Sequence, residues 1–233
     1  MTCYISQYAM TATLPRVNLN EQVYETLKRR LVRRDLRAGE KVSLHELAAE
    51  LGVSRSPVHH ALTRLVSEGL LSVKARRGYF VTPVTAKVLL DAYDVRLALE
   101  LRAAEQTVGS LDAEQLATLR RLMEATCANL DGTRFVDNDG FDETNAAFHA
   151  YQIALAGNHV MSAFYRELPV MLLMQVIRGG RSDAGADLGG EHRRIVEAFE
   201  AGDLDAARAA IRAHVDTGKR LSIDALELVG GMV

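Results

Sequence analysis

Three histidines could form a metal site, because each lies on the apolar face of a different predicted helix. His149 follows Asn145 by four residues, so both side chains lie on one side of a helix. His192 leads the apolar stripe of a later helix, and His214 lies on the last helix. Neutral imidazoles are good ligands for Zn²⁺, Ni²⁺ and similar ions. A lone histidine on an apolar face is more often a core residue bonded to a neighbour, so spacing alone leaves both interpretations open.

A second group of residues has the chemistry to read DNA. Ser54, Arg55 and Ser56 lie at the start of a predicted helix. An arginine fork can bond guanine O6 and N7 together, and short hydroxyls suit phosphates or bases. The helix N-terminus also attracts a phosphate. Arg64, further along the same helix, is expected to contact the DNA backbone. The alternative is that this segment only caps a helix and carries solvated charges.

Helix signals place this segment in a helix-turn-helix. Asn20 can cap a first helix, and Ser43 and Glu46 form the capping-box pattern that opens a short second helix. Gly52 ends the second helix, and a third begins around Ser54. A short glycine-containing turn between the second and third helices is typical of this motif.

A basic hairpin follows the third helix. Residues 70–73 and 79–81 are β-prone runs, and the segment between them predicts a hairpin with Gly78 in the strained position. Arg76 and Arg77 are then at the tip, where a wing can follow a phosphate strand or enter the minor groove. Three helices and this hairpin predict a winged helix-turn-helix.

The sequence beyond Pro83 is almost wholly helical, with no convincing strand. Its apolar periodicity predicts six helices, at about 85–106, 112–130, 137–156, 159–178, 187–201 and 203–228. The predicted fold is therefore mainly α, with an N-terminal winged helix-turn-helix and a C-terminal all-α bundle. The predicted domains are a flexible N-terminus at 1–15, a DNA-binding domain at 16–84 and a helical effector-binding and dimerisation domain at 85–228.

The charge distribution agrees with a DNA-binding first domain. Residues 16–84 contain 13 Lys/Arg against 7 Asp/Glu, whereas the whole chain has a net charge of −2. A basic module joined to an acidic remainder favours a polyanion partner. The two cysteines, Cys3 and Cys127, match no metal spacing and indicate a reducing compartment. With neither a secretory signal nor a membrane-spanning stretch, the expected location is cytoplasmic.

The segment LHELAAELGVSRSPVHHALTRLVSEGLL resembles the DNA-binding signature of the GntR transcription regulators. The resemblance covers about residues 20–84. It implies that Arg55 is the main base-reading residue, that Ser54 and Ser56 contact DNA nearby, and that Gly78 lies at the wing tip.

Two departures from this signature concern histidines. The family usually has arginine where His45 stands, and arginine then glutamate where His59 and His60 stand. A neutral imidazole offers one donor instead of an arginine fork, so altered site preference and weaker phosphate anchoring are expected. Because histidine ordinarily titrates near pH 6.5, DNA affinity is expected to rise on mild acidification.

The segments DVRLALELRAAE, NAAFHAYQIALAGN, GGEHRRIVEAFEAGD and ARAAIRAHV resemble the FCD effector domain of the FadR-type branch, over about residues 85–222. The six-helix length is closer to the VanR-like subgroup. In metal-binding members the ligands are an Asp and three His, which here correspond to Asn145, His149, His192 and His214. An amide oxygen adds no charge, so a divalent ion (Zn²⁺ or Ni²⁺) should be held more weakly than by a carboxylate. Asp142, one turn back, could partly compensate.

Arg96 and Glu100 are four residues apart on the first helix of this domain. One interpretation is a surface or interdomain ion pair worth a few tenths of a kcal/mol. The resemblance implies the other, that Arg96 approaches the pocket and meets an effector carboxylate.

These features predict a ligand-responsive transcription factor, expected to act as a repressor. It is expected to bind double-stranded operator DNA as a homodimer, because one recognition helix covers only a half-site. The expected effector is an organic acid or a fatty acyl compound. The alternatives are a metal sensor without an organic effector, a histidine-metal enzyme and an architectural DNA binder.

Overall fold

The computed structural model of the protein describes residues 18–178 and 182–228. The predicted flexible N-terminus at 1–15 lies outside the described residues. The first part of the described chain contains three helices and a small sheet. These are α1 (Leu19–Val32), β1 (Lys41–Val42), α2 (Leu44–Glu50), α3 (Arg55–Ser67), β2 (Leu71–Lys74) and β3 (Gly78–Val81). The three strands are antiparallel in the order β1-β3-β2.

Helix α1 begins two residues earlier than predicted. Asn18, not Asn20, is the N-cap, and its side-chain oxygen accepts a hydrogen bond from the Asn20 backbone N–H. At α2 the Ser43 hydroxyl accepts from the Glu46 N–H at 3.3 Å, as the capping pattern predicts. The apolar faces of α1 and α3 form the core of this part, with Leu27 and Leu65 at 1% and 0% exposure.

The hairpin formed by β2 and β3 has the predicted position. Lys74 pairs with Gly78, which leaves a three-residue turn at 75–77. Arg76 and Gly78 both have positive φ, at 61° and 96°. A glycine adopts this backbone conformation at no steric cost. Strand β1, which completes the sheet, was not predicted from the sequence because it is only two residues long.

The second part of the described chain contains seven helices, one more than predicted. They are α4 (Ala86–Thr107), α5 (Ala113–Cys127), α6 (Asn138–Ala154), α7 (His159–Glu167), α8 (Val170–Arg178), α9 (Leu188–Glu200) and α10 (Leu204–Glu227). Helix α10 packs along α4 and α9, and α5 packs along α6 and α9.

Two predictions for this part were wrong. The single helix predicted at 159–178 is divided into α7 and α8, because Leu168 has extended backbone angles (φ −65°, ψ 125°). Proline disfavours helical angles in the residue before it, and Pro169 follows. The second error is a short hairpin in a region predicted to lack strands. It consists of β4 (Leu130–Asp131) and β5 (Arg134–Phe135), with Gly132 at φ 58° in the turn.

Candidate DNA-binding surface and histidine cluster

The start of α3 presents the predicted DNA-reading side chains to solvent. Ser54 is the N-cap residue and Arg55 the first residue of the helix, and both are exposed together with Ser56. The Ser54 side chain makes no capping hydrogen bond, so its hydroxyl is not used to cap this helix. Pro57 and Val58 are buried and fix the first turn against the core. The exposed residues are therefore held on a rigid element.

The other predicted DNA contacts surround this helix start. His45 in the first turn of α2 is exposed, as are His59 on α3 and the wing residues Arg76 and Arg77. Gly78, where β3 begins, is half-buried. His45, His59 and the two arginines are therefore available to a polyanion.

Arg64, which is also exposed, forms ion pairs within the protein. Its Nη1 donates to Glu21 Oε2 at 2.9 Å and its Nε donates to Glu68 Oε1 at 3.2 Å. The guanidinium carbon lies 3.5 Å from the centre of the Tyr24 ring. Arg64 thus connects α3 to α1, and its predicted contact with the DNA backbone stays a prediction.

The three histidines of the helical domain meet in its interior. His149 on α6, His192 on α9 and His214 on α10 are buried, and one potential ligand atom from each lies within 4.8 Å of the others. His149 Nε2 and His214 Nε2 are 3.2 Å apart. Two imidazole nitrogens bound to one tetrahedral ion at about 2.0–2.1 Å would lie roughly 3.3 Å apart. The spacing of these two nitrogens therefore fits a shared ion.

In two of the three rings the opposite ring nitrogen donates to an acceptor, which orients the imidazole. His192 Nδ1 donates to the Leu188 carbonyl at 2.7 Å, and His214 Nδ1 donates to Glu191 Oε2 at 3.0 Å. His149 Nδ1 lies 3.3 Å from Glu100 Oε1, without hydrogen-bond alignment. A neutral ring that donates through Nδ1 has its lone pair on Nε2. The Nε2 lone pairs of His192 and His214 are thus the ones that face the cluster.

Burial keeps these imidazoles neutral. It lowers the pKa of His192 and of His214 to about 3, and nearby positive charge, including the Arg96 guanidinium, acts in the same direction. The pKa of His149 is also well below its ordinary value, again through burial first and the Arg96 charge second. Neutral rings are the form that binds metal ions.

Asn145 lies where a fourth ligand would be. Its Oδ1 is 2.8 Å from His192 Nε2, and the residue is 4% exposed. Because His192 donates through Nδ1, two lone pairs face each other in this orientation of the amide. A shared cation or a reversed amide would stabilise that contact. The donor set Asn145, His149, His192 and His214 therefore fits a divalent ion of the kind that imidazole ligands favour.

Arg96 reaches the same cluster from α4. Its Nη2 is 2.8 Å from His149 Nε2 and 3.4 Å from His214 Nε2. Its Nε donates to Glu100 Oε1 at 2.7 Å, and the Tyr165 hydroxyl donates to that oxygen at 2.8 Å. Arg96 and Glu100 are 1% and 0% exposed, so the surface ion pair considered from the sequence is wrong. This is a buried pair inside the bundle.

A cavity of about 330 Å³ adjoins the cluster. Asn145, His214 and the buried Arg96 line it, two further arginines (Arg178 and Arg220) and two aspartates (Asp183 and Asp224) also line it, and much of the remaining wall is apolar. The apolar lining includes Phe135, Phe141, Met174, Ile177, Leu188 and Leu221. An apolar pocket with a few convergent polar groups is the usual form of a small-molecule site.

Comparison with known proteins agrees with this two-part architecture. The sequence profile of the FCD domain matches residues 91–217, and that of the bacterial regulatory proteins of the gntR family matches residues 19–81. The chain belongs to the GntR family. It is 31% identical over 208 residues to an HTH-type transcriptional regulator in an unstable DNA locus of Streptomyces ambofaciens, covering 88% of this chain and 85% of the relative.

Two further matches concern a GntR-family repressor and the fold. The chain is 31% identical over 160 residues to the gluconate operon transcriptional repressor of Bacillus subtilis (strain 168), covering 68% of this chain and 64% of the relative. The solved structure of Escherichia coli McbR/YncC shares the fold, with a TM-score of 0.68 at 24% identity, over 90% of this chain and 99% of that one.

These matches identify the GntR-family chain as a DNA-binding transcriptional regulator with an FCD domain. Its relatives are regulators and not enzymes, so the histidine-metal enzyme is not supported. In the described part of the regulator, no helix combines the length and apolar character needed to cross a membrane. The VanR-like subgroup stays a prediction, and the seventh helix removes the length argument for it.

The structure of this GntR regulator also shows site residues that sequence reasoning missed. Asp142 does not join the histidines, because its carboxylate accepts a hydrogen bond from Arg178. Burial raises the pKa of Asp142, and the Arg178 contact opposes that rise. Glu191 supports His214 and Tyr165 supports Glu100, yet neither has a sequence signal beyond its proximity to an identified motif.

Proposed function

We propose that this regulator is a homodimeric repressor whose operator affinity is controlled by a small anionic effector bound beside a divalent ion. The observation that carries this proposal is the convergence of three neutral imidazoles, one of which, His214, lines a cavity together with Asn145 and Arg96. Asn145, His149, His192 and His214 would hold the ion, which would supply a Lewis-acidic centre for an anionic ligand atom. Zn²⁺ and Ni²⁺ are the ions that suit this donor set.

The effector class follows from the charge and size of the cavity. Arginine binds carboxylates through a two-pronged fork, and Arg96, Arg178 and Arg220 line the cavity, against two aspartates, Asp183 and Asp224. Since all four candidate ligands are uncharged, a bound divalent ion would also attract an anion. A volume of about 330 Å³ is at the lower end for ligand pockets, which favours a small organic acid over a long fatty acyl chain.

DNA binding would use Arg55 for base recognition, with Ser54 and Ser56 beside it. His45, His59, Arg76, Arg77 and Gly78 would contribute at the periphery of this surface. One recognition helix covers one half-site, so a dimer on a pseudo-palindromic operator is expected. Repression is supported by the similarity to a named repressor, the gluconate operon regulator.

A contact between the two parts suggests how the cavity communicates with the DNA-binding domain. Ile177 and Arg178 line the cavity on α8, and the carbonyls of Val176 and Ile177 accept hydrogen bonds from Arg34, just after α1. A ligand that shifts α8 would therefore act on the DNA-binding domain directly. Such linkage changes affinity only if the ligand prefers one arrangement.

The test starts with chelator-treated protein. Zn²⁺ and Ni²⁺ should each raise the melting temperature, and a His149→Gln/His192→Gln variant should lose that rise. Operator affinity is then measured by fluorescence anisotropy with the metal alone and with a panel of small carboxylates. A carboxylate that changes affinity only in metal-loaded protein supports the proposal. A change produced by the metal alone, with no carboxylate effect, would indicate a metal sensor. No melting shift with either ion would refute the metal site.

A further inference from the structure

We infer that the Arg96 guanidinium occupies the place in the histidine cluster where a metal ion would bind, and that it must move away from the imidazoles before the ion can bind. This inference rests on the metal site proposed above. It concerns the atoms that Arg96 contacts. Arg96 Nη2 lies 2.8 Å from His149 Nε2 and 3.4 Å from His214 Nε2, the two nitrogens whose spacing fits a shared ion.

The two occupants exclude each other at His149. An imidazole nitrogen has a single lone pair, which lies in the plane of the ring. The lone pair of His149 Nε2 accepts the Arg96 N–H, and the same lone pair would have to coordinate the metal. Both interactions cannot be made at once. A divalent ion within a few ångströms of a guanidinium would also repel it strongly in this buried site.

The surroundings of Arg96 are arranged to hold a cation. Glu100 pairs with the guanidinium at 2.7 Å and is itself held by the Tyr165 hydroxyl. A buried charge is stable only with such a partner. The guanidinium stays protonated at any ordinary pH, so it remains a hydrogen-bond donor for the imidazole lone pair. Without a metal ion, His149 Nε2 therefore already has a hydrogen-bond donor, and metal binding carries the cost of breaking this contact.

The cavity gives the displaced side chain a place to go. Arg96 already lines the cavity, whose wall next to it includes Met174. Asn145 helps the guanidinium to compete with a metal ion, because an amide attracts a divalent ion less than a carboxylate does. Arg96 thus lowers the affinity of the site for a metal ion. Once the ion has displaced it, the guanidinium is free to bind an anion in the cavity.

The decisive experiment is a Zn²⁺ titration against a chromophoric chelator. It compares the unmodified protein with an Arg96→Gln/Glu100→Gln variant, which removes both charges and leaves neither one buried alone. The matched control is Arg102→Gln/Glu105→Gln, an exposed pair on the same helix. The Arg96 variant should bind Zn²⁺ at least about tenfold more tightly, and the control should match the unmodified protein. Circular dichroism checks that each variant folds.

Equal or weaker Zn²⁺ binding by the folded Arg96 variant overturns the inference while leaving the metal site in place. No Zn²⁺ binding by any of the three proteins overturns both the inference and the metal part of the proposed function. If the variant does not fold, arginine side-chain NMR of the unmodified protein decides. Addition of Zn²⁺ should shift the signals of the guanidinium that contacts His149, and unchanged signals would contradict its displacement.

Discussion

Mild acid should destabilise the metal-free protein through its buried histidines. Burial holds the pKa of His192 and of His214 at about 3, whereas an unfolded histidine titrates near 6.5. As the pH falls below 6.5, these histidines bind protons in the unfolded chain but stay neutral in the folded protein. The stability that comes from keeping these rings neutral is therefore present above pH 6.5 and is lost progressively at lower pH.

The size of the effect follows from the two pKa values. Between pH 7 and pH 5.5, one such histidine reduces the free energy of unfolding by roughly 1.2 kcal/mol, so the pair contributes about 2.5 kcal/mol. His149 adds to the loss, because its pKa is also lowered. Glu191 opposes it, since burial raises the pKa of this carboxyl and its protonation in the folded state adds stability as the pH falls. Stopping at pH 5.5 limits this opposing effect.

Urea unfolding at pH 7 and pH 5.5 in the presence of a chelator measures this loss. The matched control is His60→Gln, because His60 is exposed and its replacement should leave the pH dependence unchanged. Equal free energies of unfolding at the two pH values would refute the argument that the cluster is buried in its neutral form. If the His60→Gln variant showed no loss of stability between pH 7 and pH 5.5, the effect would come from His60 and not from the buried cluster.

Three further predictions concern DNA binding. Arg55→Ala should weaken operator binding by about 5–150-fold, equivalent to 1–3 kcal/mol, with an unchanged melting temperature because the side chain is exposed. Anisotropy titrations should show operator affinity rising from pH 8 to pH 6, and a His45→Gln/His59→Gln variant should lose this rise. Arg34→Gln should speed hydrogen exchange at the end of α8 and reduce any effect of Zn²⁺ on operator affinity.

Each of these predictions has a contradicting outcome. Arg55→Ala protein that keeps both affinity and sequence preference would remove Arg55 from base recognition. The same pH dependence in the double histidine variant would assign the titration to other groups. If Arg34→Gln left hydrogen exchange in α8 and the Zn²⁺ response unchanged, the α1–α8 contact would not transmit the signal. Arg102→Gln serves as an exposed control for the arginine variants.

The winged helix-turn-helix could be predicted because its signals are local. The Ser43 cap, the turn at Gly52 and the glycine-ended hairpin each depend on a few adjacent residues, and each has the predicted position. The convergence of His149, His192 and His214 was accessible in a different way. Each histidine lies on an apolar helix face, and the apolar faces of a bundle meet in its interior.

The features that sequence reasoning missed depend on partners distant in the chain. The four-residue spacing of Arg96 and Glu100 is the same in a buried ion pair and in an exposed one. Their burial depends on the packing of α7 and α10 against α4. Asp142 forms an ion pair with Arg178, which is 36 residues away in the chain. The break at Leu168 is an exception. The proline that follows it was visible in the sequence, and apolar periodicity on both sides concealed the interruption.

Helix α8 gives the regulator a direct physical route between its cavity and its DNA-binding domain. Arg34 has a positive φ of 62°, which ends α1, and its guanidinium reaches the carbonyls at the end of α8. Hydrogen bonds from a charged group contribute about 1.5–3 kcal/mol each, and allosteric couplings are typically about 1–3 kcal/mol. Loss or gain of this one contact on ligand binding is therefore large enough to account for a regulatory change in operator affinity. A ligand that left α8 in place would need another route, since linkage requires that the two ligand states differ in free energy at the DNA-binding domain.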